Sequence, residues 1–144
     1  MKIRNGFVSN SSTSSFCIYG VCLSESELID GLLKSGIIQE QEDVFREMFE
    51  CPEGSIEAKI KEIVEENGVY EIVDSMSYNK NSPMAGLVVE SPPYVYDTYI
   101  GISPVDIEDN ETGLEFKKRV KNQLIKVFGP DLKLSFHMEA WRDG

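Results

Sequence analysis

Two matched sequence signals mark where the main helices of this chain begin. Ser24 is followed three residues later by Glu27, and Thr112 is followed three residues later by Glu115. This is the capping-box spacing, in which each side chain caps the backbone of the other residue at a helix N-terminus. An apolar stripe at helical period follows each signal, and a glycine ends each stripe. Two amphipathic helices are therefore predicted, and the segments around them must supply the sheet.

Four segments have the apolar, β-branched composition of strands. They are FCIYGVCL at 16–23, GLVVES at 86–91, TYIGIS at 98–103 and LKLSFHMEAW at 132–141. A short helix is predicted at 41–50, and a third amphipathic helix is predicted from Ile56 to Asn67. Whether VYEIVD at 69–74 forms an additional strand is left open. The order is strand, helices, two strands, helix, strand.

This order predicts an α+β fold in a single domain, with an antiparallel sheet that carries helices on one face. It is the ferredoxin-like split βαβ arrangement, with extra helices inserted after the first strand. The expected division is a Ser-rich N-terminal segment at 1–15 and one α+β domain at 16–144.

The charge is strongly negative, with a formal net of −11 over 144 residues. Direct nucleic-acid binding is not expected, because it needs Lys and Arg to replace phosphate counterions. An acidic surface can instead attract a basic protein, or it can simply keep the chain soluble. The acidic surface is expected on the third helix, at Glu57, Glu62, Glu65 and Glu66.

Three cysteines, Cys17, Cys22 and Cys51, show no paired spacing. They are interpreted as small buried apolar residues, so neither a metal site nor a cofactor is expected. With no signal peptide and no apolar run of membrane-spanning length, the expected location is the cytoplasm, without a membrane partner.

The last strand carries the candidate chemistry. Alternation places Ser135, His137, Glu139 and Trp141 on one face, with about 7 Å between alternate residues. His137 is the only histidine, and Glu139 could orient its ring in a Ser–His–Glu relay with a serine hydroxyl, Ser135 being a further candidate. No Gly-x-Ser-x-Gly elbow supports catalysis. The favoured interpretation is an exposed strand face that contacts a partner through Trp141, His137 and Glu139.

The N-terminal segment RNGFVSNSSTSSF contains a run of small polar side chains between apolar neighbours. The candidate binding residues in this run are Ser11, Ser12, Thr13, Ser14 and Ser15. A phosphate-binding loop is not favoured, because the expected glycines, lysine and following helix are missing. The apolar Phe7-Val8 pair and Phe16 instead favour a loop held at both ends.

Three blocks together resemble a family of uncharacterised small proteins of bacteriophages and some prokaryotes. The first is the N-terminal segment, similar to Arg-x-Gly-Phe-Val-Ser-Asn followed by serines and Phe. The others are YIGISPVDIEDNETGLEFKKRV at 99–120 and HMEAWRDG at 137–144. Only Thr13 departs from the serine run. The resemblance implies a phage-type source, with the host cytoplasm as location, and no mechanism.

The leading hypothesis is a small acidic phage-type protein that binds a host or phage protein, with inhibition of a host defence or nucleic-acid enzyme as its specific form. One alternative is a hydrolase or transferase that uses His137 and Glu139 with a hydroxyl from the Ser-rich run. Another is a virion or assembly component. A homo-oligomer is also left open.

Overall fold

The structure is a computed structural model that describes residues 12–92 and 97–143, with side chains described for 15–92 and 97–140. The elements along the chain are β1 (Ser12–Leu23), α1 (Glu25–Ser35), α2 (Ile37–Glu40), α3 (Glu42–Met48), α4 (Ile56–Asn67), α5 (Val69–Ser77), β2 (Val88–Glu90), β3 (Thr98–Ile102), a 3₁₀ turn (Pro104–Asp106), α6 (Gly113–Phe128) and β4 (Ser135–Asp143). The predicted α+β class is confirmed.

Both predicted capping boxes are present. The Ser24 hydroxyl accepts from the backbone N–H of Glu27, whose carboxylate accepts from the Ser24 N–H at 2.9 Å. Thr112 and Glu115 make the same reciprocal pair at the start of α6. Each pair satisfies two backbone donors that a helix start would leave unbonded.

Two segments between α1 and β2 differ from their predictions. The segment 69–74 belongs to a helix, α5, because Val69, Ile72, Val73 and Met76 recur at helical spacing and are all buried. The short helix predicted at 41–50 is present as α3 (Glu42–Met48), and a four-residue helix that was not predicted, α2 (Ile37–Glu40), precedes it. Within α3 only Phe45 is fully buried, whereas Val44 and Met48 are exposed.

The four described strands form one antiparallel sheet in the order β2-β3-β1-β4. This order, with helices against one face, is compatible with the split βαβ arrangement. β1 is the longest strand. It pairs with β3 through residues 19–23 and with β4 through residues 12–20. Residues 12–18 and 137–143 therefore form a two-stranded extension beyond β3, called here the β1–β4 ribbon.

The core lies between the helices and the sheet face that carries Val21, Ile100 and Ile102. Helices α1, α4, α5 and α6 each contribute buried apolar side chains to it. Phe136 of β4 is paired with Tyr19 of β1, and their rings lie 4.9 Å apart. Because Tyr19 packs against the core, Phe136 lies on the helix-covered face of the sheet. Phe136 is nevertheless 51% exposed and Met138 is 71% exposed. The helix layer thus covers little of the β1–β4 ribbon.

No helix among the described residues is both long and apolar enough to cross a membrane.

Candidate functional site

The sheet face turned away from the helices is the first part of the candidate site. Strand alternation and the observed register give it successive rows, each running across neighbouring strands. One row joins Glu90, Tyr99 and Cys22, the next joins Gly101, Gly20 and Ser135, and a third pairs Ile18 with His137. Glu139 follows on the same face, paired with Phe16. The structure therefore brings Ser135, His137 and Glu139 to one face, as alternation predicted.

The middle row contains two glycines that face each other at very close range. A Cβ built on Gly20 would lie 2.0 Å from the carbonyl oxygen of Ile100, and one on Gly101 would lie 2.2 Å from that of Tyr19. Neither position can accept a side chain without moving the backbone of the other strand. Glycine inside a strand is the sequence signal from which such a close approach could have been predicted.

Tyr99 fills the space above this glycine row. Its backbone lies in the row of Cys22, yet its ring centroid is 5.1 Å from that of Phe16 and 5.1 Å from that of His137. To reach both rings it must extend across the row where Gly20 and Gly101 carry no side chain. Ile18, on the same face, is only 1% exposed. This face is therefore a packed aromatic cluster at its centre.

His137 lies at the rim of that cluster and makes one hydrogen-bonding contact, between its Nε2 atom and the Ser135 hydroxyl, at 3.2 Å. Ser135 and Glu139 are exposed, and His137 is half-buried. Within 15–92 and 97–140 no carboxylate is hydrogen-bonded to the imidazole ring. The arrangement contains a hydroxyl beside a base, but not the third group that would orient the base.

Cys22 carries a thiol on the same face as this cluster, in the row of Tyr99. Its Sγ atom lies 3.9 Å from Oδ2 of Asp97. Burial raises the pKa of the thiol above its ordinary value; a hydrogen bond with Tyr99 opposes this shift, and the negative charge of Asp97 adds to it. Because the thiolate is the nucleophilic and metal-binding form, Cys22 is not activated at neutral pH. Burial also raises the pKa of the Tyr99 hydroxyl, so it stays protonated there as well.

The Ser-rich run meets the far end of β4. Ser12, Thr13, Ser14 and Ser15 belong to β1, where they pair with Asp143, Arg142, Trp141 and Ala140. Ser15 is exposed and shares its sheet side with Ala140, opposite to the side of His137. The side chains of residues 12–14 and of Trp141 lie outside the described set, and Ser11 lies outside the described residues altogether.

The acidic surface forms the second part of the candidate site. The segment from Glu25 to Asp74 contains fifteen acidic and four basic residues, a net charge of −11. All of the acidic residues except Glu71 and Asp74 are exposed. Three of the four basic residues are paired with carboxylates of their own helices, in Lys34–Asp30, Arg46–Glu42 and Lys59–Glu62. The four predicted residues Glu57, Glu62, Glu65 and Glu66 are all exposed on α4.

The basic residues of α6 are partly engaged by the protein itself. Arg119 donates to both carboxylate oxygens of Glu111, at 2.7 and 2.9 Å. The Lys117 ammonium lies 5.7 Å from the ring centre of Tyr19 and 5.4 Å from that of Phe136. Lys117 therefore covers part of the apolar surface of β4, a contact that the sequence pattern did not indicate.

Within the part of the chain whose side chains are described, no group of three or more His, Cys, Asp or Glu residues is arranged to hold a metal ion.

Comparison of the chain with protein-family models, with curated proteins and with solved structures found no match.

Proposed function

We propose that this protein acts by binding another protein, and that its acidic helical surface, the exposed carboxylates of α1–α4, contacts a basic surface of that partner. The observation that carries this proposal is the one-sided charge between residues 25 and 74. There, thirteen exposed carboxylates stand against four basic residues, three of which already have carboxylate partners. Such a surface produces a negative potential that speeds association with positive partners.

The resemblance of the N-terminal and C-terminal blocks supports a phage-type source, and hence a partner of host or phage origin in the host cytoplasm. A basic partner surface is typical of enzymes that handle nucleic acid, because they must neutralise phosphates. Inhibition of such an enzyme, or of a host defence protein of that kind, is the specific form of the proposal. The acidic surface would then occupy the position of the nucleic-acid backbone.

The test is capture of partners from host lysate by wild-type protein and by a triple variant, Glu62→Lys, Glu65→Lys and Glu66→Lys. Two of these positions lie in the last turn of α4, where positive charge favours the helix dipole, so the fold is expected to persist. Asp106→Lys, Asp109→Lys and Asp131→Lys form the matched control, since these residues are exposed and lie outside α1–α5.

We expect the wild type and the control variant to capture one or more basic proteins, which moderate salt releases. The triple α4 variant is expected not to capture them. Equal capture by both triple variants contradicts the assignment of the surface. Absence of any captured protein contradicts the binding function.

The hydrogen bond between Ser135 and His137 favours a second candidate function, hydrolysis or group transfer with His137 as base and a nearby hydroxyl as nucleophile. Turnover of an activated ester by the wild type, lost in His137→Gln and in Ser135→Ala, is the expected result. Equal rates in all three proteins, or a rate no greater than that of free imidazole, would exclude it.

A further inference from the structure

β4 lies at the edge of the sheet, and its outer side has no strand partner within 12–92 and 97–143. An unpaired edge presents a row of backbone donors and acceptors to which another strand can pair. Proteins usually block such edges with lysine, proline or a short strand length. β4 runs for nine residues, SFHMEAWRD, and contains neither lysine nor proline. It is therefore open to strand addition.

The exposed apolar side chains of this protein's sheet lie along the same strand. Phe136 is 51% exposed and Met138 is 71% exposed, and Ala140 is also exposed on the same side. Lys117 covers part of the Phe136 ring, at 5.4 Å. Exposed apolar groups in register along an unpaired edge are the arrangement that strand addition buries.

The occupant can be inferred from the sequence of β4 itself. When two copies of one strand pair antiparallel about a two-fold axis within one sheet, paired residues must lie on the same face. The axis must then pass through a residue, and the candidates near the middle of β4 are His137, Met138, Glu139 and Ala140. An axis at Glu139 places two like charges directly opposite each other, which is destabilising.

An axis at Met138 gives complementary pairs among the residues on either side of it. It places His137 opposite Glu139 of the second copy, and this pair occurs twice by symmetry. It also places Phe136 opposite Ala140, a large side chain against a small one. An axis at His137 instead places two imidazole rings opposite each other and leaves Glu139 opposite Ser135. An axis at Ala140 leaves Glu139 opposite Trp141. Only the axis at Met138 places Glu139, whose carboxylate can accept a hydrogen bond, opposite an imidazole that can donate one, and this complementarity selects the axis at Met138.

We propose that two copies of this chain pair along β4 as antiparallel strands, with the two-fold axis at Met138. The two sheets become one continuous eight-stranded sheet, and Phe136, Met138 and Ala140 are partly covered by the side chains opposite them in the second copy. α5 packs beside β2, at the opposite edge of the sheet, and α4 packs on α5, so the carboxylates of α4 remain on the outer parts of the dimer. β4 itself carries only one basic and two acidic residues, so little charge opposes the contact at its centre.

The whole chains still repel each other, because each carries a formal net charge of −11. Salt screens charges that are more than about 8 Å apart at physiological ionic strength. Dimerisation is therefore expected to strengthen with salt, the reverse of the proposed binding of a basic partner. This opposite salt response separates failure of the dimer from failure of the proposed function.

The first experiment is sedimentation velocity over a wide range of protein concentration. The wild type is expected to shift from the 16.2 kDa chain towards twice that mass as concentration rises. In Glu139→Lys the new ammonium group lies opposite His137 of the second copy, and in His137→Glu the new carboxylate lies opposite Glu139. Each variant is expected to weaken association by about tenfold or more. The double exchange places a carboxylate opposite an ammonium group and is expected to recover most of the affinity. Glu65→Lys makes the same charge change on α4 and is expected not to weaken dimerisation.

Disulfide trapping gives a second measurement that does not depend on affinity. Cys17 pairs with Met138 within one chain, so all three native cysteines must first be replaced by serine. Met138→Cys then meets its own copy at the axis, where paired Cα atoms are about 4.5–5.5 Å apart, within the range of a disulfide. A covalent dimer is expected for Met138→Cys and not for Ala140→Cys.

The proposal is overturned if the wild type remains a single chain at all concentrations. It is also overturned if the double exchange associates no better than the single variants. A covalent dimer from Ala140→Cys in place of Met138→Cys contradicts the proposed axis.

Discussion

The helical half of the molecule, which consists of α1 to α6, and the β1–β4 ribbon place apolar side chains in opposite ways. In the helical half, each of the main helices turns its apolar stripe into the core and its charges outward; Phe45, on the shorter α3, is completely buried. In the ribbon, the strands continue beyond the part of the sheet that the helices cover, and Met138 is 71% exposed. The first region thus supplies the stability of the fold, whereas the second keeps apolar surface available for contact.

The largest effect is expected from the same substitution made once in the core of the helical half and once at Phe136, which directly precedes the ribbon residues of β4. Phe45→Ala removes a fully buried ring and is expected to lower the free energy of unfolding by about 3–5 kcal/mol. Phe136→Ala removes a ring that is half exposed, so its cost should be less than half as large. Urea unfolding of both variants, at concentrations where the single chain prevails, measures the difference. Equal losses would show that the exposed start of β4 contributes to stability as much as the core does.

The glycine row gives the next largest effect, at the boundary between the two regions. Gly20→Ala places a methyl group 2.0 Å from the carbonyl oxygen of Ile100 and is expected to cost about 1–3 kcal/mol through strand displacement. Gly113→Ala is the matched control, because nothing lies within 4 Å of its added Cβ at the start of α6. Thermal unfolding of both variants is the measurement. A neutral Gly20→Ala would contradict the close approach of β1 and β3.

A smaller effect is expected from the ion pair at the start of α6. The Arg119 guanidinium, which donates to both oxygens of Glu111, lowers the pKa of that carboxyl below its ordinary value. The stabilisation is present above the unfolded-state pKa, about 4.3, and is lost as pH falls through the lower folded-state pKa. Glu111→Gln should therefore lower the melting temperature at pH 7 and match the wild type in strong acid. A constant difference at every pH would contradict this cause.

The smallest expected effect is a rise in melting temperature, and it concerns Glu90 on β2. Burial raises the pKa of the Glu90 carboxyl, which lies opposite Tyr99 on the sheet. Its contribution is favourable below the unfolded-state pKa and is lost as pH rises through the folded-state pKa. Glu90→Gln is therefore expected to raise the melting temperature slightly at pH 7, with no gain in strong acid. A gain that persists in acid would point to packing and not to charge.

Much of the architecture could be predicted because its signals are local. The capping boxes at Ser24 and Thr112 and the stripe on α4 depend only on neighbouring residues, and the structure confirms them. The α5 segment was harder, since VYEIVD suits a short buried strand by composition, and only Met76, beyond that window, completes the helical spacing. Short apolar segments are ambiguous in this way.

The candidate site was less predictable because it depends on register. Alternation alone places Ser135, His137 and Glu139 on one face, but the pairing of His137 with Ile18 brings it near Tyr99 from another strand. The pairing of Gly20 with Gly101 likewise requires the alignment of β1 with β3, which lies far along the chain. The exposure of Met138 depends on where α6 lies, and no pattern within β4 contains that information.

The most direct test of the contrast between the two regions is amide hydrogen exchange, measured residue by residue on the single chain at low concentration. The account predicts that amides in α4 and α5 exchange only through near-global unfolding, whereas amides of residues 138–143 exchange orders of magnitude faster through local opening. Equal protection along α4, α5 and residues 138–143 would contradict it, because the ribbon would then be as firmly held as the core.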